Sequence, residues 1–145
     1  MKAVVQRVKE TSLKVDGNLI SQISYGLIVY FGVGKGDTLD KADYLASKIS
    51  KLRVFEDENG KMNKSVIDVG GEIMVVSQFT LYGDVSHGNR PGFSEAELPE
   101  VANEVYEYFC KKVEENGVSV KKGVFGADMK ISQLSDGPVT ILYEV

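Results

Sequence analysis

"ISYGLIVYFGVGKGDTLDKADYLASKISKL", residues 23–52, changes its period halfway along. Its first half is an apolar, β-branched and aromatic run ending in glycines, the pattern of a strand buried on both faces. Its second half carries Ala42, Leu45, Ala46, Ile49 and Leu52 on one side of a helix, with Asp37 or Thr38 placed to cap its start. A strand therefore runs directly into an amphipathic helix.

Working outward, this unit is not repeated in strict alternation. On the N-terminal side "AVVQRV" and "SLKV" read as strand, and Asp16-Gly17-Asn18 in "VDGNLI" supplies a turn, so the chain opens with a hairpin. On the C-terminal side "KLRVFEDENGKMNKSV" reads as a short strand with a polar turn, and "GEIMVVSQFTLYGD" (71–84) as a long, mostly buried strand. A second helix carries Val101, Val105, Phe109 and Val113 along one side. A capping box of Ser94 with Glu97 and a staple of Phe93 with Leu98 would start it early, but Pro99 would then cost a hydrogen bond. The favoured start is Pro99 at the first helical position, after a turn over 94–98. "VSVKKGVFG" and "MKISQLSDGPVTILYEV" add further strands. Grouped strands with two helices indicate an α+β domain of about seven strands, in a largely antiparallel sheet or barrel-like core.

Bulk properties narrow the function classes. The 145 residues, 43% hydrophobic and 26% charged, suit one compact domain spanning 1–145 with a core that needs neither disulfide nor metal. No apolar run approaches the roughly 20 residues of a membrane span, and "MKAVVQRVKE" lacks the apolar centre of a secretory signal, so the expected compartment is the cytoplasm, with no membrane partner. The one cysteine, Cys110, excludes an internal disulfide or cysteine cluster and reads as a structural thiol beside Phe109. A net charge of −4 argues against a large basic nucleic-acid surface. Charge is uneven, however: Glu95 to Glu107 holds five glutamates and no base, while Lys111, Lys112, Lys121, Lys122 and Lys130 gather later. Two solvated faces of opposite sign account for this.

Four places offer chemistry. "GVGKGDT" (32–38) resembles an anion-holding turn but lacks the P-loop spacing, and reads as a plain strand-to-helix connection. His87 is the only imidazole, so any histidine-based triad passes through it, and metal ligands around it are scarce: no metal or other cofactor is expected. "SQFTLYGD" (77–84) brings Ser77, Gln78 and Thr80 to the end of an apolar strand. In a regular strand Ser77 and Phe79 would face one way and Gln78 and Thr80 the other, so they converge only if the chain bends there. In "DGPVT" (136–140), Gly137-Pro138 is either turn punctuation opening a terminal strand or a cis pair, whose intrinsic cost is only about 0.5–1 kcal/mol.

Together "SQFTL" (77–81), "GNRPGF" (88–93) and "DGPVT", with "MKAVVQRV…VDG" and "FGVGKGDT", resemble the D-aminoacyl-tRNA deacylase family over essentially the whole chain. Gly92 stands where the family often carries serine. The resemblance implies a homodimer that hydrolyses the ester joining a D-amino acid, or mischarged glycine, to tRNA. It makes Ser77, Gln78, Phe79, Thr80 and Leu81 the hydrolytic pocket. It also implies that Gly137 and Pro138 form a cis pair inserted into the partner's pocket, with Arg7 as a brace and Met129 on the pocket wall. Thr80 as nucleophile and a water assisted by the tRNA's terminal 2′-hydroxyl are the competing mechanisms. Thr80 has no base near it in sequence, which favours water. Two rivals stand beside this reading: a non-catalytic module that holds an RNA 3′ end on Phe79, Tyr82 and Phe93, and, more remotely, a nucleotide hydrolase acting through "GVGKGDT".

Overall fold

A computed structural model describes residues 1–145. In chain order the elements are β1 (Lys2–Val15), β2 (Asn18–Ile23), β3 (Gly26–Gly32), α1 (Leu39–Ser50), β4 (Phe55–Glu56), β5 (Met62–Lys64), β6 (Glu72–Ser77), a 3₁₀ turn (Phe79–Tyr82), α2 (Pro99–Glu115), β7 (Ser119–Lys122) and β8 (Met129–Glu144). Eight strands match the expected seven or so, with β5 added as the partner of the expected short strand β4 across the polar turn.

β1 organises the sheet. Asp16 and Gly17 both have positive φ, 49° and 81°, the two-residue turn whose twist suits a hairpin. Along one edge β1 pairs antiparallel with β8, from Lys2↔Glu144 to Val15↔Met129. Along the other it pairs first with β3 and then, beyond Val8, with β2. Register shifts on either side of Val8 change the phase of β1, so that Val8 and Leu13 point into one core although one is even and the other odd. β3, β6 and β7 continue the sheet in parallel, each joined to the next by a crossover containing a helix. The sheet is therefore mixed, with its antiparallel part built on β1. It curls until the Ser21 hydroxyl of β2 donates to the Lys122 carbonyl of β7 at 2.5 Å, nearly closing a barrel.

Two cores follow from the strand periodicity. Leu27, Val29 and Phe31 of β3 and Ile73 and Val75 of β6 meet α1 and α2, whereas Ile28, Met74 and Val76 face inward with Val8, Leu13 and Ile23. Phe31 stacks on Phe109 of α2 at 4.2 Å between ring centroids. Pro99 opens α2, as its missing donor favours. The buried face of that helix, however, is Ala102, Val105, Tyr106, Phe109, Cys110 and Val113, and Val101 is 45% exposed. A spacing of four throughout drifts off a helix of 3.6 residues per turn, which is why 101 was the wrong first member. The Ser94–Glu97 box does not form: the Glu97 carboxylate accepts from the Leu98 N–H instead.

Two other strand expectations change. The run 71–84 leaves the sheet after Ser77, because its partner β3 ends there and the remaining residues wind into the 3₁₀ turn. The C-terminal segment is one sixteen-residue edge strand, not a terminal strand opened by Pro138, and it is not buried: one face is half-buried and the other exposed. Pairing with β1 jumps from Val8↔Ser135 to Gln6↔Thr140, so Asp136 to Val139 bulge out of the ladder. A missing donor at Pro138 costs nothing there. The Gly137–Pro138 bond is cis.

Candidate active site

The bend after Ser77 builds the site. Gln78 donates its N–H to the Phe31 carbonyl at 2.8 Å and then leaves the strand, with the turn closed by Leu81 N–H to Gln78 O and Gly83 N–H to Thr80 O. The first two donors of such a turn, on Phe79 and Thr80, have no partner within it. Two glycines of the neighbouring strand region make room. A Cβ on Gly32 would lie 2.9 Å from the Gln78 carbonyl oxygen, and one on Gly34 2.5 Å from the Tyr82 ring.

Beside this turn a cavity of about 470 Å³ opens between the sheet and α2. Its inner wall is apolar, made by Phe31, Val33, Ala102, Tyr106 and Phe125. Ser77, Gln78 and Phe79 at the end of β6 also line it, as do Met129 and Ile131 of β8. Burial raises the Tyr106 phenol well above its ordinary value, and its hydroxyl donates to the Val75 carbonyl at 2.9 Å, so this group is a neutral wall. The same burial pushes the neighbouring Cys110 thiol up to about 12, too high for a thiolate nucleophile at neutral pH. The charged lining groups are two carboxylates, Glu97 and Asp128.

Of the residues singled out from sequence, Ser77, Gln78, Phe79 and Met129 line this cavity. Thr80 stands beside it, exposed, its Oγ1 accepting from the Gln78 side-chain amide. An amide is no base, so nothing in contact activates the hydroxyl. Leu81 turns instead toward Gly32. His87 is exposed in the 84–92 loop and does not line the cavity. Phe79, 58% exposed, meets Phe93 edge-on at 5.0 Å.

Gly137 and Pro138 are exposed on the bulge of β8 and do not line this chain's own cavity. Arg7, 6% exposed, reaches that bulge from below. Its Nε lies 3.1 Å from Asp136 Oδ2 and donates to the Asp136 carbonyl at 3.3 Å, while Nη1 donates to the Val54 carbonyl at 2.6 Å. The guanidinium thus ties the bulge to the segment between α1 and β4.

The turn "GVGKGDT" holds no free anion cradle, because Asp37 fills that role itself. Its Oδ2 accepts the Gly34 N–H at 2.8 Å and the Tyr82 hydroxyl at 3.2 Å, and its Oδ1 meets the Met1 amino group at 2.7 Å and Lys41 Nζ at 2.8 Å. Thr38 occupies the N-cap position of α1 without a side-chain hydrogen bond. Tyr106, Phe125 and Ala102 were not singled out from sequence as lining residues, since nothing there separates a cavity wall from core. Asp37 was visible only as a cap.

Comparison with known proteins shows the family. Residues 4–144 match the family described as D-Tyr-tRNA(Tyr) deacylase. The chain is 54% identical over 144 residues to a D-aminoacyl-tRNA deacylase of Clostridioides difficile (strain 630), covering 99% of this chain and 97% of that one. It is 52% identical to one of Carboxydothermus hydrogenoformans, with both chains covered completely. Among solved structures, a c-Myc DNA unwinding element binding protein superposes with a TM-score of 0.94 at 44% identity, covering 100% of this chain and 99% of that one. A probable eukaryotic D-amino acid tRNA deacylase shares the fold, with a TM-score of 0.85 at 18% identity over 99% of this chain and 98% of the other. With its full length matched and the strand-end turn in place, the chain belongs to the D-Tyr-tRNA(Tyr) deacylase family and is one of its enzymes.

Proposed function

We propose that the cavity beside Ser77–Phe79 hydrolyses the ester between a D-amino acid, or glycine, and the 3′ end of tRNA. The observation that carries this is the 3₁₀ turn, which presents two consecutive N–H groups, those of Phe79 and Thr80, where a strand ends at an apolar recess. Such donors stabilise the oxyanion of an acyl-transfer intermediate, typically by two to three orders of magnitude in rate, about 2.7–4 kcal/mol. Water attacks the ester carbonyl carbon, the carbonyl oxygen takes the negative charge, and collapse breaks the bond to the ribose oxygen. That oxygen leaves with a proton as a hydroxyl of free tRNA, and the amino acid is released. An aminoacyl ester is reactive enough for positioning to supply most of the acceleration. Thr80 is not needed as nucleophile, and the ribose 2′-hydroxyl beside the ester is the nearest substrate group to assist the water.

In this reading two copies assemble in the cytoplasm, and the Gly137-Pro138 bulge of one enters the cavity of the other. Its exposed position, off its own cavity and braced by Arg7, supports that role. The pair's carbonyls receive the substrate amino group and its bulk occupies the volume an L side chain would need, so L-aminoacyl-tRNA is rejected by clash and desolvation while glycine passes. Exposed Phe79 beside Phe93 favours one rival, a module that stacks an RNA end without cleaving it. Single-turnover incubation with D-Tyr-, Gly- and L-Tyr-tRNA separates the two. Loss of the D and Gly esters with the L ester spared is the expected result; binding without ester loss would establish the rival.

A further inference from the structure

Asp37 is 4% exposed at its side chain and collects donors from three parts of the chain, one of which is the turn beside the cavity. The Tyr82 hydroxyl that it accepts belongs to the last residue of that turn. The Tyr82 ring lies so close to Gly34 that a methyl group there would sit 2.5 Å from its Cζ. Gly34 in turn donates to the same Asp37 oxygen that Tyr82 reaches. The ring is therefore held from two sides: by the glycine's missing side chain and by a carboxylate that the glycine's own N–H orients.

We infer that Asp37 and Tyr82 are positioning residues for the hydrolytic turn, locking its C-terminal end so that the Phe79 and Thr80 N–H groups keep a fixed aim into the cavity. This rests on the deacylase reading of the cavity. Neither residue lines the cavity, and neither touches the reacting atoms. The mechanical case is the shortness of the turn. With four residues and one backbone bond at each end, Phe79 to Tyr82 has no internal register to resist rotation. An anchor at Tyr82 is three residues from the donors it would aim. A misplacement of about 1 Å at a reacting group costs on the order of a hundredfold in rate, so a turn loosened by a few tenths of an ångström loses several-fold.

The test uses Tyr82→Phe, which keeps the ring against Gly34 and removes only the hydroxyl. Its matched control is Tyr108→Phe, which removes the same kind of bond, tyrosine hydroxyl to Asp43 at 3.0 Å, on the far side of α2 from the cavity. Single-turnover cleavage of D-Tyr-tRNA is followed over a range of enzyme concentrations, and amide hydrogen exchange of residues 79–83 is measured on the same preparations. The expected result is a five- to twentyfold lower maximal rate for Tyr82→Phe with half-saturation unchanged within twofold. Residues 79–83 should exchange faster, and Tyr108→Phe should match the parent in every readout. A parental maximal rate for Tyr82→Phe overturns the inference, as does a loss carried by half-saturation alone, or equal losses in the two variants. Gly34→Ala, which keeps the hydroxyl but pushes the ring, should lower the maximal rate as well; a parental rate in this variant also counts against the inference. If the parent itself binds D-Tyr-tRNA without cleaving it, the deacylase reading falls first and this inference with it, a result unlike any of the others.

Discussion

Replacing Gly32 by alanine should slow catalysis by displacing the hydrolytic turn from the side of the sheet. The added Cβ would lie 2.9 Å from the Gln78 carbonyl oxygen and 3.3 Å from the Leu81 Cβ, where ordinary contact begins at 3.4 Å. The stiffer of the two neighbours is backbone, so the chain at Gln78 must retreat by about 0.5 Å, the difference between ordinary contact and this one. Phe79 and Thr80 follow Gln78 directly and move with it. If 1 Å costs about a hundredfold, half of that costs about tenfold in the maximal single-turnover rate. Overpacking of this kind costs about 1–3 kcal/mol, and the alanine returns up to about 1 kcal/mol through the unfolded chain. For a chain of 145 residues a net loss of about 1–2 kcal/mol lowers Tm by about 3–6 °C. The assay is single-turnover cleavage of D-Tyr-tRNA at saturating enzyme, paired with thermal unfolding. A variant that shows the expected Tm decrease yet cleaves within twofold of the parent would refute the link between this glycine and the donors.

Two further outcomes are expected. Arg7→Ala removes the pair with Asp136 and the bond to the Val54 carbonyl; because Asp136 retains 20% exposure, the loss is about 2–3 kcal/mol, below that of a fully buried pair. Urea unfolding measures it, and the ratio of D- to L-Tyr-tRNA cleavage should fall as the 136–138 bulge loosens. Asp37 provides the pH test. Burial alone would raise its carboxyl pKa, but Lys41, the Met1 amino group and the Gly34 N–H together hold it below the ordinary aspartate range. A carboxyl depressed in the folded state stabilises fully above its unfolded value, about 3.9, and loses that contribution as pH falls through its lower folded value. The difference in unfolding free energy between parent and Asp37→Asn should therefore be flat between about pH 5 and 7 and shrink below about pH 4; a difference that grows on acidification would contradict the assignment.

Much of this architecture was legible because burial imposes period on the sequence. The apolar run at 26–32 had to be a central strand, and Ala42, Leu45, Ala46 and Ile49 had to face it. Pro99 marked the start of α2 through its own missing donor. What escaped was governed by neighbours distant in sequence. The bend after Ser77 depends on where β3 stops, and the bulge at 136–139 depends on a register with β1 more than 120 residues away. Ser77, Gln78 and Thr80 could be named from their polar character at a strand end, whereas Phe79 was named only through the resemblance to the deacylase family. Tyr106 and Phe125 could not be told from core, since an apolar side chain looks the same whether it fills a space or borders one.

The double duty of β1 has a consequence for how this chain can vary in length. One edge of that strand serves β8 while the other serves β3 and then β2, so losing a single residue within it would shift its register against both neighbours at that point and turn the following β1 side chains to the opposite face. Insertions and deletions are tolerable instead where pairing is local, in the β4–β5 connection and at the tip of the 84–92 loop. The chain's tolerance of indels is thus distributed against its most heavily paired strand, and the loop that follows the 3₁₀ turn is among the few segments free to change length.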